Sequence, residues 1–424
     1  MTELNLKDRQ FIWHPYTSLA TPRENIVVES AKGVYLKTED GREILDAVSS
    51  WWVNIHGHSN KKIAKAIAQQ AKTMEHVIFA GFTHKPAIEL AERLLETLPT
   101  NQDKIFYSDN GSTAVEVGLK LCMQYWYNQK KEKQKIIAIE GAFHGDTFGA
   151  MSIGERGLFT KPFHHYLFDV EFIPFPFEGK EELTYEKFNT LVAQGDVAGF
   201  IYEPLVQGAA GMRIYSKEIL ERLIKTAKEN NVLCIADEVM TGFGRTGKLF
   251  ASDHLNQQPD IICLSKGITG GFLPFAATSC SLEVSRAFQS ADADKTFFHG
   301  HSYTANPIAC AAALASLSIL KSKECQKNIQ KIATLHTAFK EKIASHKKVR
   351  SVKTIGTIIA IEIEQGETFY LNSLRDNAYD FFLEKGILLR PLGNIIYIMP
   401  PYIIKKPELK KVYKAINSFL NSLL

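Results

Sequence analysis

Two residues in the middle of the chain combine chemical reactivity with predicted burial. Asp237 directly follows the apolar run 232–236, and Lys266 stands between the apolar run 261–264 and the glycine-rich turn 267–271. A buried carboxylate needs a cationic or hydrogen-bonding partner, because isolated burial of a charge is costly. Partial desolvation lowers the pKa of a lysine, which makes its amine a candidate for Schiff-base chemistry. Taken singly, Asp237 also fits a helix cap or an internal ion pair, and Lys266 an ordinary exposed lysine.

A possible phosphate site lies upstream, where Gly111, Ser112 and Thr113 follow the apolar run 104–108 and open a predicted helix at about 113–127. Free backbone N–H groups, the positive end of the helix dipole and two hydroxyls favour an anion there. The same residues also fit an ordinary helix cap. The sequence contains no GxxxxGK[ST] pattern, which argues against a P-loop.

The candidate groups are more specific in combination than singly. The run 135–140 is followed by Gly-Ala-Phe-His-Gly-Asp, which adds an aromatic ring at Phe143, and the run 197–203 ends in Glu203. Pyridoxal phosphate requires an anion cup for its phosphate, a flat ring to stack on, an acid beside its pyridine nitrogen and an amine for its aldehyde. The sequence therefore predicts a pyridoxal phosphate site.

These residues must be positioned by the strands that precede them. The five runs at 104–108, 135–140, 197–203, 232–236 and 261–264 are nearly continuous in apolar residues, which is typical of parallel strands buried on both faces. Their alternation with helical segments predicts an open α/β sheet over roughly residues 60–310. Such sheets bind ligands at the carboxyl ends of their strands, so the candidate residues should meet at one edge.

The end of the chain has a different pattern. A long helix is predicted with one apolar face and lysines elsewhere, and residues 352–364 and 387–390 are predicted strands. We therefore predict an α/β fold in three parts: residues 1–55 as an N-terminal segment joining a small domain, 56–310 as the large cofactor-binding domain, and 311–424 as the C-terminal small domain.

Composition limits the possible functions. The 424 residues carry 50 basic and 46 acidic side chains, a balance too weak to predict a nucleic-acid or membrane partner. The six cysteines form no CxxC pair, so we expect buried thiols and no metal site. We see no signal peptide, and the apolar run 305–320, interrupted by polar residues, predicts a buried helix. We therefore expect a soluble, cytoplasmic protein.

The segment 235–247, together with Ser265-Lys266-Gly267, resembles the signature of class III aminotransferases, which have the fold-type I architecture and use pyridoxal phosphate. The resemblance extends over essentially the whole chain. It implies that Lys266 holds the cofactor and shuttles a proton while Asp237 pairs with the pyridinium nitrogen. It further implies a homodimer with shared active sites. The remaining implied cofactor contacts are Gly111 and Ser112 at the phosphate, Phe143 and Val239 on the two faces of the ring, and Ser302 from the neighbouring subunit.

Within that family, three segments resemble the members that aminate 8-amino-7-oxononanoate in biotin biosynthesis: residues 13–17, the pair Trp51-Trp52, and residues 390–402. A long keto acid requires aromatic walls and one cation for its carboxylate, which Arg390 can bind bidentately. If Trp51 and Trp52 lie on a strand, their side chains point in opposite directions and at most one lines the pocket. The resemblance implies substrate contacts from Tyr16, Trp51, Trp52, Phe143, Arg245, Gly300 and Arg390.

The amino donor and two other functions stay open. S-adenosylmethionine is the expected donor, but Phe143 stands where users of that donor carry tyrosine, and His301-Ser302 replaces their Pro-Thr, so lysine is an alternative. A second enzymatic hypothesis is a broad ω-aminotransferase for diamines, ornithine-like acids or 4-aminobutyrate. A third is a non-catalytic homologue that binds a ligand or partner.

Overall fold

The computed structural model describes residues 2–20, 23–365 and 373–423. Its helices are α1 (Glu3–Phe11), α2 (Ser49–Trp52), α3 (Lys61–Thr73), α4 (Lys85–Leu95), α5 (Gly111–Asn128), α6 (Phe148–Ser152), α7 (Glu181–Val192), α8 (Lys217–Glu229), α9 (Leu282–Arg286), α10 (Pro307–Leu320), α11 (Lys323–Ile343), α12 (Ser373–Glu384) and α13 (Lys406–Ser422). Its strands are β1 (Val28–Lys32), β2 (Tyr35–Thr38), β3 (Glu43–Asp46), β4 (Gln102–Ser108), β5 (Lys135–Ile139), β6 (Glu171–Ile173), β7 (Val197–Tyr202), β8 (Val206–Gln207), β9 (Arg213–Ile214), β10 (Leu233–Asp237), β11 (Ile261–Leu264), β12 (Ala276–Ser281), β13 (Val349–Ile355), β14 (Ile358–Ile363), β15 (Ile387–Leu388) and β16 (Ile395–Ile398).

The large sheet has seven strands in the order β4-β12-β11-β10-β7-β5-β6. Neighbouring strands run parallel except at β12, which pairs antiparallel with both β11 and β4. Strands β7, β10 and β11 are buried along their whole length, which explains their continuous apolar sequence. The predicted mostly parallel α/β sheet is confirmed. Strands β6 and β12 were not predicted, because β6 has three residues and β12 is rich in alanine and serine.

The helices around this sheet begin at residues suited to capping. Helix α5 starts at Gly111, two residues before the predicted start, because the Asn110 side chain accepts a hydrogen bond from the Thr113 amide. Gly111 and Ser112 therefore lie in its first turn. Helix α8 is capped in the same way, since the Ser216 hydroxyl accepts from the Ile219 amide. The apolar segment predicted as a buried helix forms α10, which packs against α3 and α4.

Segments from both ends of the chain form the smaller sheets. Strand β15 pairs parallel with β3, so an N-terminal and a C-terminal segment share the sheet β1-β2-β3-β15. Strands β13, β14 and β16 form a second sheet. The predicted strand 352–364 is instead part of the β13–β14 hairpin, which turns at Gly356 with φ of 52°. A side chain there would clash with the backbone around Gly247, which explains the glycine. Within the described ranges, no helix is long and apolar enough to cross a bilayer.

Candidate active site

One cavity of about 2170 Å³ is lined by residues from the carboxyl edge of the large sheet and from both terminal segments. The predicted residues that line it are Tyr16, Trp51, Trp52, Phe143, Lys266 and Arg390. The strand order explains why Phe143 and Lys266, which follow β5 and β11, lie in the same cavity. Strands β5, β7, β10 and β11 are parallel, so their carboxyl ends share one edge of the sheet.

Lys266 and Asp237 lie at neighbouring strand ends. Asp237 is opposite Cys263 in the β10–β11 register, and Lys266 follows that cysteine by three positions. Lys266 begins a short 3₁₀ helix with φ of 42°, and its Nζ lies 4.8 Å from the centroid of the Trp52 ring. Desolvation by the surrounding protein lowers the pKa of Lys266, although the charges of Asp237 and Glu203 oppose that shift. The amine therefore loses its proton more readily than an exposed lysine does.

The Asp237 carboxylate is held by two hydrogen bonds. It is only 4% exposed, and its Oδ1 accepts from the Val239 amide at 3.0 Å. Its Oδ2 lies 2.6 Å from Nδ1 of His144, which therefore carries the donating proton of the imidazole. The His144 Nε2 has no hydrogen-bond partner in the described part of the chain. His144 was missed by the sequence reasoning, although it stands in the loop that contains Phe143.

Glu203 is a second buried acid beside this pair. Its Oε1 accepts from the Phe143 amide at 3.2 Å and its Oε2 from the Gly208 amide at 2.8 Å. Burial is the main cause that raises the pKa of Glu203 to about 7, with the negative charge of Asp237 adding to it. Glu203 thus joins the loop of Phe143 to the turn at Gly208 and ionises near neutral pH.

The N-terminus of α5 packs tightly against two loops. A side chain at Gly111 would meet Cγ1 of Val239 at 2.7 Å, and one at Gly145 would meet Oγ of Ser112 at 2.1 Å. The Ser112 hydroxyl also accepts from the Asp146 amide at 3.2 Å. Close packing of this kind leaves backbone N–H groups of a helix start near the loop, an arrangement suited to an anion. Val239, which was predicted to lie on one face of the cofactor ring, packs against Gly111 in this structure.

Aromatic rings and one cation line another part of the cavity. The guanidinium carbon of Arg390 lies 4.7 Å from the Trp51 ring centroid, and the Tyr16 ring lies 5.9 Å from it. Tyr16 also donates from its hydroxyl to Oδ2 of Asp146 at 2.5 Å, and its ring contacts Phe159. Among the described residues, Arg390 forms no ion pair, so its charge is available to an anionic ligand.

Both tryptophans line the cavity, whereas adjacent positions on a strand would have allowed at most one of them to do so. Trp51 and Trp52 lie in α2, whose φ and ψ angles at Ser50 and Trp51 are not helical, so we call this segment the Ser49–Trp52 turn. Because it is not a strand, the alternation of side chains along a strand does not apply. Trp51 is 41% exposed, whereas Trp52 is buried and donates from Nε1 to the Tyr397 hydroxyl at 3.0 Å. Tyr397 lies in the segment 390–402, and its hydrogen bond to Trp52 was not predicted.

Seven predicted substrate or cofactor residues do not line this cavity: Gly111, Ser112, Asp237 and Val239, described above, and Arg245, Gly300 and Ser302. Arg245 is 1% exposed and donates to the backbone carbonyls of Trp52 and Pro400, each at 3.0 Å. Gly300 and Ser302 are exposed on the loop before α10, and the Ser302 carbonyl contacts the His76 ring at 2.5 Å. Arg245 therefore supports the wall formed by Trp52 from behind.

Comparison with known proteins agrees with this geometry. A relative from Synechococcus elongatus named adenosylmethionine-8-amino-7-oxononanoate aminotransferase is 47% identical, over 97% of this chain and 99% of the relative. One of the same name from Staphylococcus aureus is 35% identical, over 100% and 98%. The crystal structure of an enzyme of that name from Methanocaldococcus jannaschii superposes with a TM-score of 0.93 at 37% identity, covering 99% of this chain and 98% of that one.

The family assignment covers nearly the whole molecule. The family model described as Aminotransferase class-III matches residues 18–420. Members of this family use pyridoxal phosphate, and the fold is the fold-type I architecture of these enzymes. The chain therefore belongs to the class III aminotransferases and is a pyridoxal-phosphate-dependent enzyme.

Proposed function

We propose that this chain transfers an amino group to 8-amino-7-oxononanoate, giving 7,8-diaminononanoate in biotin biosynthesis. S-adenosylmethionine is the expected donor and lysine the alternative. One observation carries the proposal: a single cavity is lined by Lys266, which lies against the Trp52 ring, and by Arg390, which lies against the Trp51 ring and has no described ion pair. The names of the full-length relatives support this substrate.

The residues at the sheet edge fit pyridoxal phosphate. The start of α5 at Gly111 and Ser112 offers backbone N–H groups at the positive end of the helix dipole and the Ser112 hydroxyl, which suits the phosphate group. Asp237 keeps a lone pair on each oxygen beyond its two present hydrogen bonds, so it can also accept from a protonated ring nitrogen. When bound, the cofactor supplies an electrophilic carbon and a ring that stores electrons.

The chain's own groups then divide the work. In the first half of the reaction Lys266 Nζ would accept the proton from the amine-bearing carbon of the donor and pass it to the carbon that was the cofactor's aldehyde. In the second half it would move a proton in the opposite direction, from that cofactor carbon to the new amine-bearing carbon of the product. Its lowered pKa favours the neutral, basic form that this step needs. Asp237, fixed by His144, would hold the ring nitrogen in its protonated state. Phe143, half-buried beside them, is the proposed stacking residue.

The keto acid is proposed to lie between Trp51, Trp52 and Tyr16 with its carboxylate on Arg390. These aromatic faces remove the aliphatic chain from water, at about 25 cal/mol per Å² of apolar surface buried. A planar guanidinium matches a carboxylate with two parallel hydrogen bonds. Both substrates must use the same cavity in turn, which agrees with walls made mostly of aromatic rings.

A homodimer with shared sites is part of the proposal. Gly300 and Ser302 are exposed outside the cavity of their own chain, beside the exposed apolar side chains of Phe298 and Tyr303. A second copy packed on this loop would bury those apolar surfaces and bring Ser302 to the partner's phosphate cradle. We place the enzyme in the cytoplasm, since all six cysteines are unpaired and buried, as expected in a reducing compartment.

A half-reaction assay tests the function. The cofactor-loaded enzyme is mixed separately with S-adenosylmethionine, lysine, putrescine and 4-aminobutyrate, and conversion to the pyridoxamine form is followed by absorbance. The pyridoxamine form is then mixed with 8-amino-7-oxononanoate. We expect conversion by one of the first two donors and reversal by the keto acid. Conversion by putrescine or 4-aminobutyrate, without reversal by the keto acid, would establish the broad ω-aminotransferase instead.

A further inference from the structure

The Ser49–Trp52 turn has an unusual backbone. Ser49, Ser50 and Trp52 have φ values of 51°, 58° and 70°, although none of them is glycine. Ser50 combines its φ with ψ of −89°, far from the regions that residues with a Cβ atom adopt. Each such residue costs on the order of 1–3 kcal/mol, and it persists only where the surroundings compensate. The turn therefore needs a specific partner that holds it.

That partner is Asp46, at the end of β3. The carboxylate is completely buried, and its Oδ1 accepts from the Val48 amide at 3.1 Å. Its Oδ2 accepts from the Ser50 amide at 2.7 Å and from the Ser50 hydroxyl at 3.2 Å. The same oxygen lies 2.9 Å from Nε2 of His58. The His58 Nδ1 lies 3.3 Å from Nδ2 of the Asn54 side chain, so Nδ1 accepts from Asn54 and Nε2 donates to Asp46.

The two tryptophans depend on this turn to different degrees. Trp52 has anchors of its own, because its Nε1 donates to Tyr397 and its carbonyl accepts from Arg245. Trp51 is 41% exposed, and within the described part of the chain its side chain has ring contacts with Tyr16 and Arg390 and no hydrogen bond. Loosening the turn should thus release Trp51, which faces the proposed carboxylate end, and leave Trp52 beside the lysine in place.

We propose that Asp46 is a positioning residue that, by holding the strained Ser49–Trp52 turn, sets the Trp51 wall for the keto acid. The proposal rests on the function proposed above for its substrate, and its structural part stands independently. Asp46 acts through Trp51 and does not itself contact substrate.

The kinetic test uses D46N, which puts an N–H donor where Asp46 has only acceptors, so that the new donor faces either the Val48 amide or the Ser50 and His58 N–H groups. We expect the KM for 8-amino-7-oxononanoate to rise about tenfold or more while kcat changes less than threefold, as for loss of binding shared by ground and transition states. W51A should raise KM similarly. D46N should add nothing in the W51A background, because both changes remove the same wall. Additive effects, or a loss confined to kcat, would overturn the proposal.

A rescue variant and a matched control separate positioning from general stability. Glycine adopts positive φ without strain, so S50G should reverse much of the rise in KM that D46N causes. D260N removes another buried carboxylate, which accepts from the Cys234 amide at the opposite end of β11 from the lysine. It should lower the melting temperature without changing the KM. Failure of S50G to improve D46N, or equal KM changes in D46N and D260N, would refute the positioning role.

A measurement without substrate distinguishes this proposal from the proposed function. Hydrogen exchange in a peptide covering residues 44–56 should speed up in D46N, because the Val48 and Ser50 amides lose a charged acceptor. Exchange in β13 should stay unchanged. Unchanged exchange at 44–56 would refute Asp46 as the holder of the turn, even if the wild-type enzyme proved to use another keto acid.

Discussion

Arg390 allows the sharpest test of the substrate orientation. It lines the cavity, stacks on Trp51 and has no described ion pair, so removing it breaks no internal salt bridge. R390A should therefore fold normally. Hydrogen bonds that involve a charged group contribute about 1.5–3 kcal/mol each. Because Arg390 is half-exposed and its field is screened by solvent, we expect a total loss of about 2–3 kcal/mol, which corresponds to about 30- to 150-fold in keto-acid affinity.

The assay compares 8-amino-7-oxononanoate with its methyl ester. Steady-state KM values for both compounds are measured with wild type, R390A and R390K. Wild type should have a KM about 30- to 150-fold lower for the acid than for the ester, and R390A should have equal KM values for both. R390K should fall between them, because lysine keeps the positive charge but lacks the planar guanidinium. If R390A retained the full preference for the acid, the carboxylate would bind elsewhere and the proposed orientation would be wrong.

Three further predictions concern other buried groups. K266A should abolish turnover and the absorption band of lysine-bound cofactor. Mixing K266A with an inactive S302D variant should restore activity, because a hybrid dimer has one site with both Lys266 and Ser302 intact. No recovery on mixing would argue against a shared site. E203Q should lack an inflection near pH 7 that wild type shows in its pH–kcat profile, because burial raises the pKa of Glu203 to about 7; identical profiles would contradict this. His336 is buried between Tyr413 and the Thr357 carbonyl, and burial lowers its pKa to about 3. Since its folded pKa lies below the unfolded value of about 6.5, its stabilisation is complete above pH 6.5 and declines as pH falls towards 3, by about 2 kcal/mol at pH 5. Denaturant unfolding at pH 7.5 and 5.0 should thus show a smaller pH effect in H336N, and an equal effect would refute the assignment.

Local sequence was enough to predict most strands of the large sheet. Strands such as β7 and β10 are buried on both faces, so burial forces continuous apolar runs that can be read directly. The positions of Asp237 and Lys266 follow from the same logic, because residues after parallel strands must share one edge. The hairpin at Gly356 was mistaken for one strand, since the turn is enforced by close contact with Gly247, which lies far away in sequence.

Other parts of the site depend on contacts between distant segments. The bond from His144 to Asp237 joins residues 93 positions apart, and that between Trp52 and Tyr397 joins residues 345 apart. No local pattern reports such partners. Arg245 was expected near substrate, but packing places it behind Trp52, where it donates to backbone carbonyls. Its role toward substrate stays a prediction.

The sequence by itself determined which chemistry is possible, because the types and order of residues after each strand place a lysine, an acid and a helix start at one edge. Only the tertiary structure decided how the substrate end of the cavity is built. Trp51 reaches the cavity because a buried carboxylate, Asp46, compensates a backbone that the local sequence disfavours, and Trp52 is also anchored by Tyr397 and Arg245. Local preference fixes the strands, whereas the free energy of long-range hydrogen bonds and packing fixes the strained turn.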